Sequence, residues 1–67
     1  MVNRKLLLGK AMAKNISCKD IAEALNIDPA TLSQKLGNKS DFKIKEVQTI
    51  QKLLNLTKKD TESIFFN

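Results

Sequence analysis

Pro29 constrains this chain more than any other residue, because it fixes where a helix can begin. Proline locks φ near about −65° and has no backbone N–H, so it fits a helix only in the first turn. Asp28 precedes it and offers a capping carboxylate. Two residues earlier, Asn26 belongs to the few residue types that accept a left-handed backbone. One apolar stripe, Ile21, Ala22 and Leu25, ends just before this break, and a second, Leu32 and Leu36, lies just after it. A chain divided in this way builds two short helices joined by a tight turn, with Ile27 as its apolar plug.

The rest of the chain follows the same pattern. Spacing predicts a first helix over residues 3–14 that buries Leu7, Leu8, Ala11 and Met12. Asn15 ends it in the left-handed conformation, and Ile16 folds back as the apolar contact that follows such a cap. Ser17 reads as the N-cap of a second helix over 18–25: its hydroxyl accepts from the Asp20 N–H, and Asp20 places a negative charge in the first turn. The third helix covers 29–36, and Gly37 ends it. A polar loop, 38–41, leads to Phe42. A fourth helix over 44–54 carries Ile44, Val47, Ile50, Leu53 and Leu54 at spacings of three and four, although Lys43 stands where Ser or Thr would cap best. Thr57 with Asp60 starts a last short helix, 58–64. No β-type alternation appears. The expectation is an all-α, five-helix domain spanning residues 1–67.

A chain of 67 residues buries only about 60% of the surface its unfolded form exposes. The single cysteine, Cys18, cannot form an internal disulfide, and without histidine there is no Cys/His set for zinc. Apolar helix faces must hold the fold, with dimerisation as a further source of stability. A lone thiol suits a reducing compartment. The apolar run Leu6-Leu-Leu8 is too short for a signal-peptide core or a membrane span, so a cytoplasmic protein is expected. Catalysis finds no support: there is no histidine, no glycine-rich phosphate loop and no nucleophile beside a base. Asp20 and Glu23, one turn apart, read as surface charges, and no cofactor or metal is expected.

Twelve Lys and Arg against seven Asp and Glu give a formal charge of +5. The sequence pI of about 9.6 suits a polyanion-binding domain. The charges are unevenly spread. Arg4, Lys5, Lys10, Lys14 and Lys19 precede any acid, and Lys39, Lys43 and Lys45 follow residue 37. Between Asp20 and Lys35 acids outnumber bases. Basic flanks around a near-neutral centre point to a nucleic acid.

Residues 17–37, Ser17-Cys-Lys-Asp-Ile-Ala-Glu-Ala-Leu-Asn-Ile-Asp-Pro-Ala-Thr-Leu-Ser-Gln-Lys-Leu-Gly37, fit a helix-turn-helix. Ala22 is small where two crossing helices come closest, and Asn26 sits at the turn four positions later. The chain resembles the Cro/repressor helix-turn-helix family of phage repressors and bacterial regulators over nearly its whole length. The segments Thr31-Leu-Ser-Gln-Lys-Leu-Gly-Asn-Lys-Ser-Asp-Phe42, Asn55-Leu-Thr57 and Ile64-Phe-Phe-Asn67 look like short phage-type members from Gram-positive bacteria. The family often has Gln where Cys18 stands and Gly where Asn26 stands.

The resemblance implies that the third helix enters the major groove of double-stranded operator DNA. Ala30 and Gln34 match base-facing positions, with Thr31 and Ser33 beside them. Gln can bond adenine at two points and an Ala methyl can pack on thymine, a good two-point pair being worth about 1–3 kcal/mol of discrimination. Cys18 and Lys19 at the start of the second helix, with Lys35, Asn38 and Lys39, are the expected backbone contacts. Asp28 is expected to turn back onto its own helix as a cap, away from DNA. Phe65 and Phe66 cannot both face the core from consecutive helical positions, so one is expected to close the core with Ile64. Phe65 or Phe66, with residues near the end of the fourth helix, is expected in the interface of a homodimer formed at least on DNA. The implied function is a Cro-like phage repressor that acts without a cofactor or small-molecule substrate. The alternative reading is a protein-binding modulator or antirepressor that acts on another repressor.

Overall fold

The computed structural model describes residues 2–66. Five helices follow one another: α1 (Arg4–Ala13), α2 (Cys18–Leu25), α3 (Pro29–Leu36), α4 (Ile44–Leu54) and α5 (Lys58–Phe65). No strand occurs among the described residues.

Local chemistry sets every boundary. Asn3 caps α1 by accepting the Leu6 N–H at 3.1 Å. Ser17 and Asp20 cap α2 reciprocally: the Ser17 hydroxyl accepts the Asp20 N–H, and the Asp20 carboxylate accepts the Ser17 N–H. Thr57 and Asp60 repeat that arrangement at α5. The Asp28 carboxylate turns back to accept the Ala30 N–H at 3.1 Å, so its charge is directed onto α3. The poor cap expected at Lys43 is made good from inside α4, where Glu46 accepts the Lys43 N–H at 2.8 Å.

The four breaks share one device. Asn15, Asn26, Asn38 and Asn55 all adopt positive φ, between 51° and 62°. The residue after each sends its N–H back to a carbonyl five residues earlier: Ile16 to Ala11, Ile27 to Ala22, Lys39 to Gln34 and Leu56 to Gln51. This is the Schellman closure of a helix end. After α3 the left-handed residue is Asn38, while Gly37 keeps an ordinary φ of −84°.

The core joins Leu7 and Ala11 of α1, Ile21 and Ala22 of α2, Leu32 and Leu36 of α3, Val47, Ile50 and Leu54 of α4, and Ile64 and Phe65 of α5, with Leu56 between the last two helices. Leu7, Ile21, Leu32, Ile50, Leu54 and Ile64 are fully enclosed, each worth about 1.5–3 kcal/mol of apolar burial. α2 packs on α3 and α4, while α5 bridges α1 and α4. The Asn3 N–H donates to the Ile64 carbonyl at 2.7 Å, fastening the start of α1 to the end of α5.

Three apolar expectations need correction. Met12 is 76% exposed and Ile44 is 75% exposed. Both continue an apolar spacing, but near a helix end, where no neighbouring helix covers them. Leu8 is only half-buried.

Candidate nucleic-acid interface

Helix α3 divides cleanly into two faces. Leu32, Lys35 and Leu36 point inward, at spacings of three and four. Ala30, Ser33 and Gln34 occupy the opposite stripe and are exposed, and Thr31 at the margin is half-buried. The exposed stripe carries short or uncharged side chains, a surface that can approach another molecule without desolvating a charge. Ser17, Cys18 and Lys19 at the start of α2 are also exposed, as is Lys39 beyond α3. Asp20, in the first turn of α2, has its carboxyl held below the ordinary value near 3.8, mainly by the Ser17 backbone N–H and next by the Ser17 hydroxyl. It is therefore ionised at neutral pH and occupied by its cap.

Two expected backbone contacts are otherwise engaged. Lys35 is 7% exposed. Its Nζ lies 3.2 Å from Glu46 Oε1, donates to the Asp41 carbonyl at 2.9 Å and stands 5.8 Å from the centre of the Phe42 ring. A side chain with all these partners has no charge left for a phosphate, so Lys35 is a structural cation rather than a surface one. The signal was present in the sequence, since Leu32, Lys35 and Leu36 share one helical stripe. Asn38 is exposed, but its Oδ1 accepts the Val2 N–H at 2.8 Å, with a longer 3.5 Å contact from its Nδ2 to the Val2 carbonyl. This partner lies 36 residues away, beyond the reach of any local pattern.

The terminal aromatics also separate. Phe65 is buried and packs edge-on against Phe42, with ring centres 5.4 Å apart. It closes the monomer core, as expected of one of the two rings, and leaves Phe66 as the exposed one. Phe66 is 68% exposed. It borders an open groove of about 290 Å³ lined by Val2, Phe42, Val47 and Phe65.

Neither a family model, a curated protein nor a solved structure matches the chain. Chemistry and geometry therefore carry any functional reading. Among the described residues no group of His, Cys, Asp or Glu is placed to hold a metal ion, and no helix is long and apolar enough to cross a membrane. Cys18, an exposed free thiol, has no histidine or second cysteine to work with.

Proposed function

We propose that the chain is a sequence-specific DNA-binding transcriptional regulator, a Cro-like repressor of the phage type. In this reading α2 and α3 form its helix-turn-helix, and α3 lies in the major groove of an operator. The observation that carries the reading is the outward stripe of α3, where Ala30, Ser33 and Gln34 are exposed together and free of charge. Exposed Lys19, in the first turn of α2, and exposed Lys39, just after α3, stand at the two ends of that motif, where phosphates would flank a groove-bound helix. Gln34 reads adenine at two points, Ala30 packs on a thymine methyl, and Ser33 and Thr31 bond bases or phosphate at the margin. Lys19, Lys39 and the helix start at Cys18 hold the backbone.

Two copies act together on DNA, reading half-sites about one turn, ~34 Å, apart. Exposed Phe66 is the contact between them. Occupancy of an operator that overlaps a promoter then blocks transcription without a cofactor or a chemical step.

Fluorescence anisotropy with duplex DNA from upstream of the protein's own gene, against scrambled duplex, tests this. The expected result is selective binding whose logarithm falls linearly with log salt, at about −0.9 per phosphate contacted. Equal, weak binding to both duplexes would instead favour a protein-directed modulator of another repressor, a role the uncharged α3 stripe also suits.

A further inference from the structure

The bond between Val2 and Asn38 brings the start of the chain beside the end of α3. Asn38 directly follows the Gly37 cap, and Lys39 is its neighbour. The segment is held from its other side by the 2.7 Å bond from the Asn3 N–H to the Ile64 carbonyl. Arg4 and Lys5, the first two residues of α1, are both exposed. Consecutive Cα atoms are ~3.8 Å apart, so the Arg4 Cα lies within roughly 19 Å of the Lys39 Cα, about half a turn of duplex. Helical side chains also lean toward the N-terminus of their helix. That tilt leans both side chains back toward residues 2 and 3, although as consecutive helical residues they leave α1 about 100° apart.

Neither charge has an ion-pair partner among the described residues, where the ion pairs are Lys10–Asp60 and Lys35–Glu46. The first turns of α1 and α3 contain no acid, whereas α2, α4 and α5 begin with Asp20, Glu46 and Asp60. Cations in a first turn oppose the helix dipole, so Arg4 and Lys5 weaken α1 slightly. Asp41 lines the groove beside Val2 and Asn38 and is the acid on this side. Against it stand Arg4, Lys5 and Lys39.

We propose that Arg4 and Lys5, held beside Lys39 through the Asn38–Val2 bond, form a second contact point for the DNA phosphate backbone. The proposal rests on the DNA-binding reading above and assigns the chain start to the same interface. In it Asn38 is a positioning residue, and the two cations supply affinity without base selectivity.

The test is a salt titration of binding to the preferred and the scrambled duplex. It compares wild type, Arg4→Ala/Lys5→Ala, and Lys58→Ala/Lys59→Ala as a control at the far start of α5. The Arg4/Lys5 variant should lower the magnitude of the log–log slope by about 2, at ~0.9 per lost phosphate contact, and weaken both duplexes by the same factor. The Lys58/Lys59 control should keep the wild-type slope. A charge-reversed Arg4→Glu/Lys5→Glu chain separates binding from folding. Its melting temperature should hold or rise, because acids suit a first turn, while its DNA affinity falls below that of the Ala variant. An unchanged slope in the Arg4/Lys5 variants, beside a normal slope in wild type, overturns the proposal and leaves the DNA reading standing. Salt-independent binding by wild type overturns both.

Discussion

Lys35 carries its charge inside the protein, so its energetics are those of a buried pair. Breaking such a pair leaves the other charge uncompensated, at a cost of about 3–5 kcal/mol, whereas an exposed pair contributes little. Lys35→Met keeps the aliphatic stem but takes the cation from Glu46, which keeps only its cap to the Lys43 N–H. The variant should lower the urea midpoint by the equivalent of about 3 kcal/mol. It should leave the salt slope of DNA binding untouched, the opposite of what removing a phosphate ligand does. The capping acids give a separate, pH-dependent signature. Asp20 is held below 3.8 chiefly by the Ser17 backbone N–H, and Asp60 chiefly by the Thr57 backbone N–H. A carboxyl whose folded value is depressed contributes stability above its unfolded value and loses it as pH falls through the folded one. Melting temperature should therefore be level from neutral pH to about 5 and decline below about 4. Asp20→Asn/Asp60→Asn should show a shallower acid-side decline in the same circular-dichroism melts.

The helix ends make the clearest test at the level of elements. Asn26 holds φ at 57° between α2 and α3, a conformation that costs most L-residues roughly 1–2 kcal/mol and glycine nothing. Asn26→Gly should melt within a degree or two of wild type, whereas Asn26→Ala should melt about 4–8 °C lower for each kcal/mol lost. The ends at Asn15 and Asn26 were legible because each is written locally as an apolar spacing followed by an Asn and a plug, whereas α3 was expected to end at Gly37 and its left-handed residue is Asn38. All five helices could be placed from local spacing and caps. Misreadings arose where the deciding neighbour lies far along the chain. Met12 and Ile44 continue their stripes yet meet no partner helix, and Asn38 finds Val2 across 36 residues. Lys35 is different, since its place on the α3 core stripe was readable but lysine is so seldom enclosed that its charge outweighed its position. For the candidate interface, Ala30, Thr31, Ser33 and Gln34 were expected from the family resemblance, whereas the attachment of Val2 to Asn38 in the loop after α3 had no local signal.

Across the whole molecule, Phe65 and Phe66 differ in burial, and the proposed dimer gives each a separate test. Phe65 is enclosed against Phe42, so Phe65→Ala should cost about 3–5 kcal/mol in chemical denaturation. Phe66 is 68% exposed, so Phe66→Ala should leave the melting temperature within a degree or two. It should abolish any dimer that light scattering detects on a two-half-site duplex. Equal dimer content in wild type and Phe66→Ala would remove Phe66 from the interface. The bond from Asn3 to Ile64 has a further consequence, for how the protein is born. It joins the start of α1 to the end of α5, and the α1 face that α5 covers stays open until α5 arrives, whereas α4 already packs on α2. Ribosomes add about 5–20 residues per second, so a stretch of this size emerges over roughly 3–13 s. Until α5 is made, the α1 face that it covers stays wet, and α1 can settle only when that helix docks.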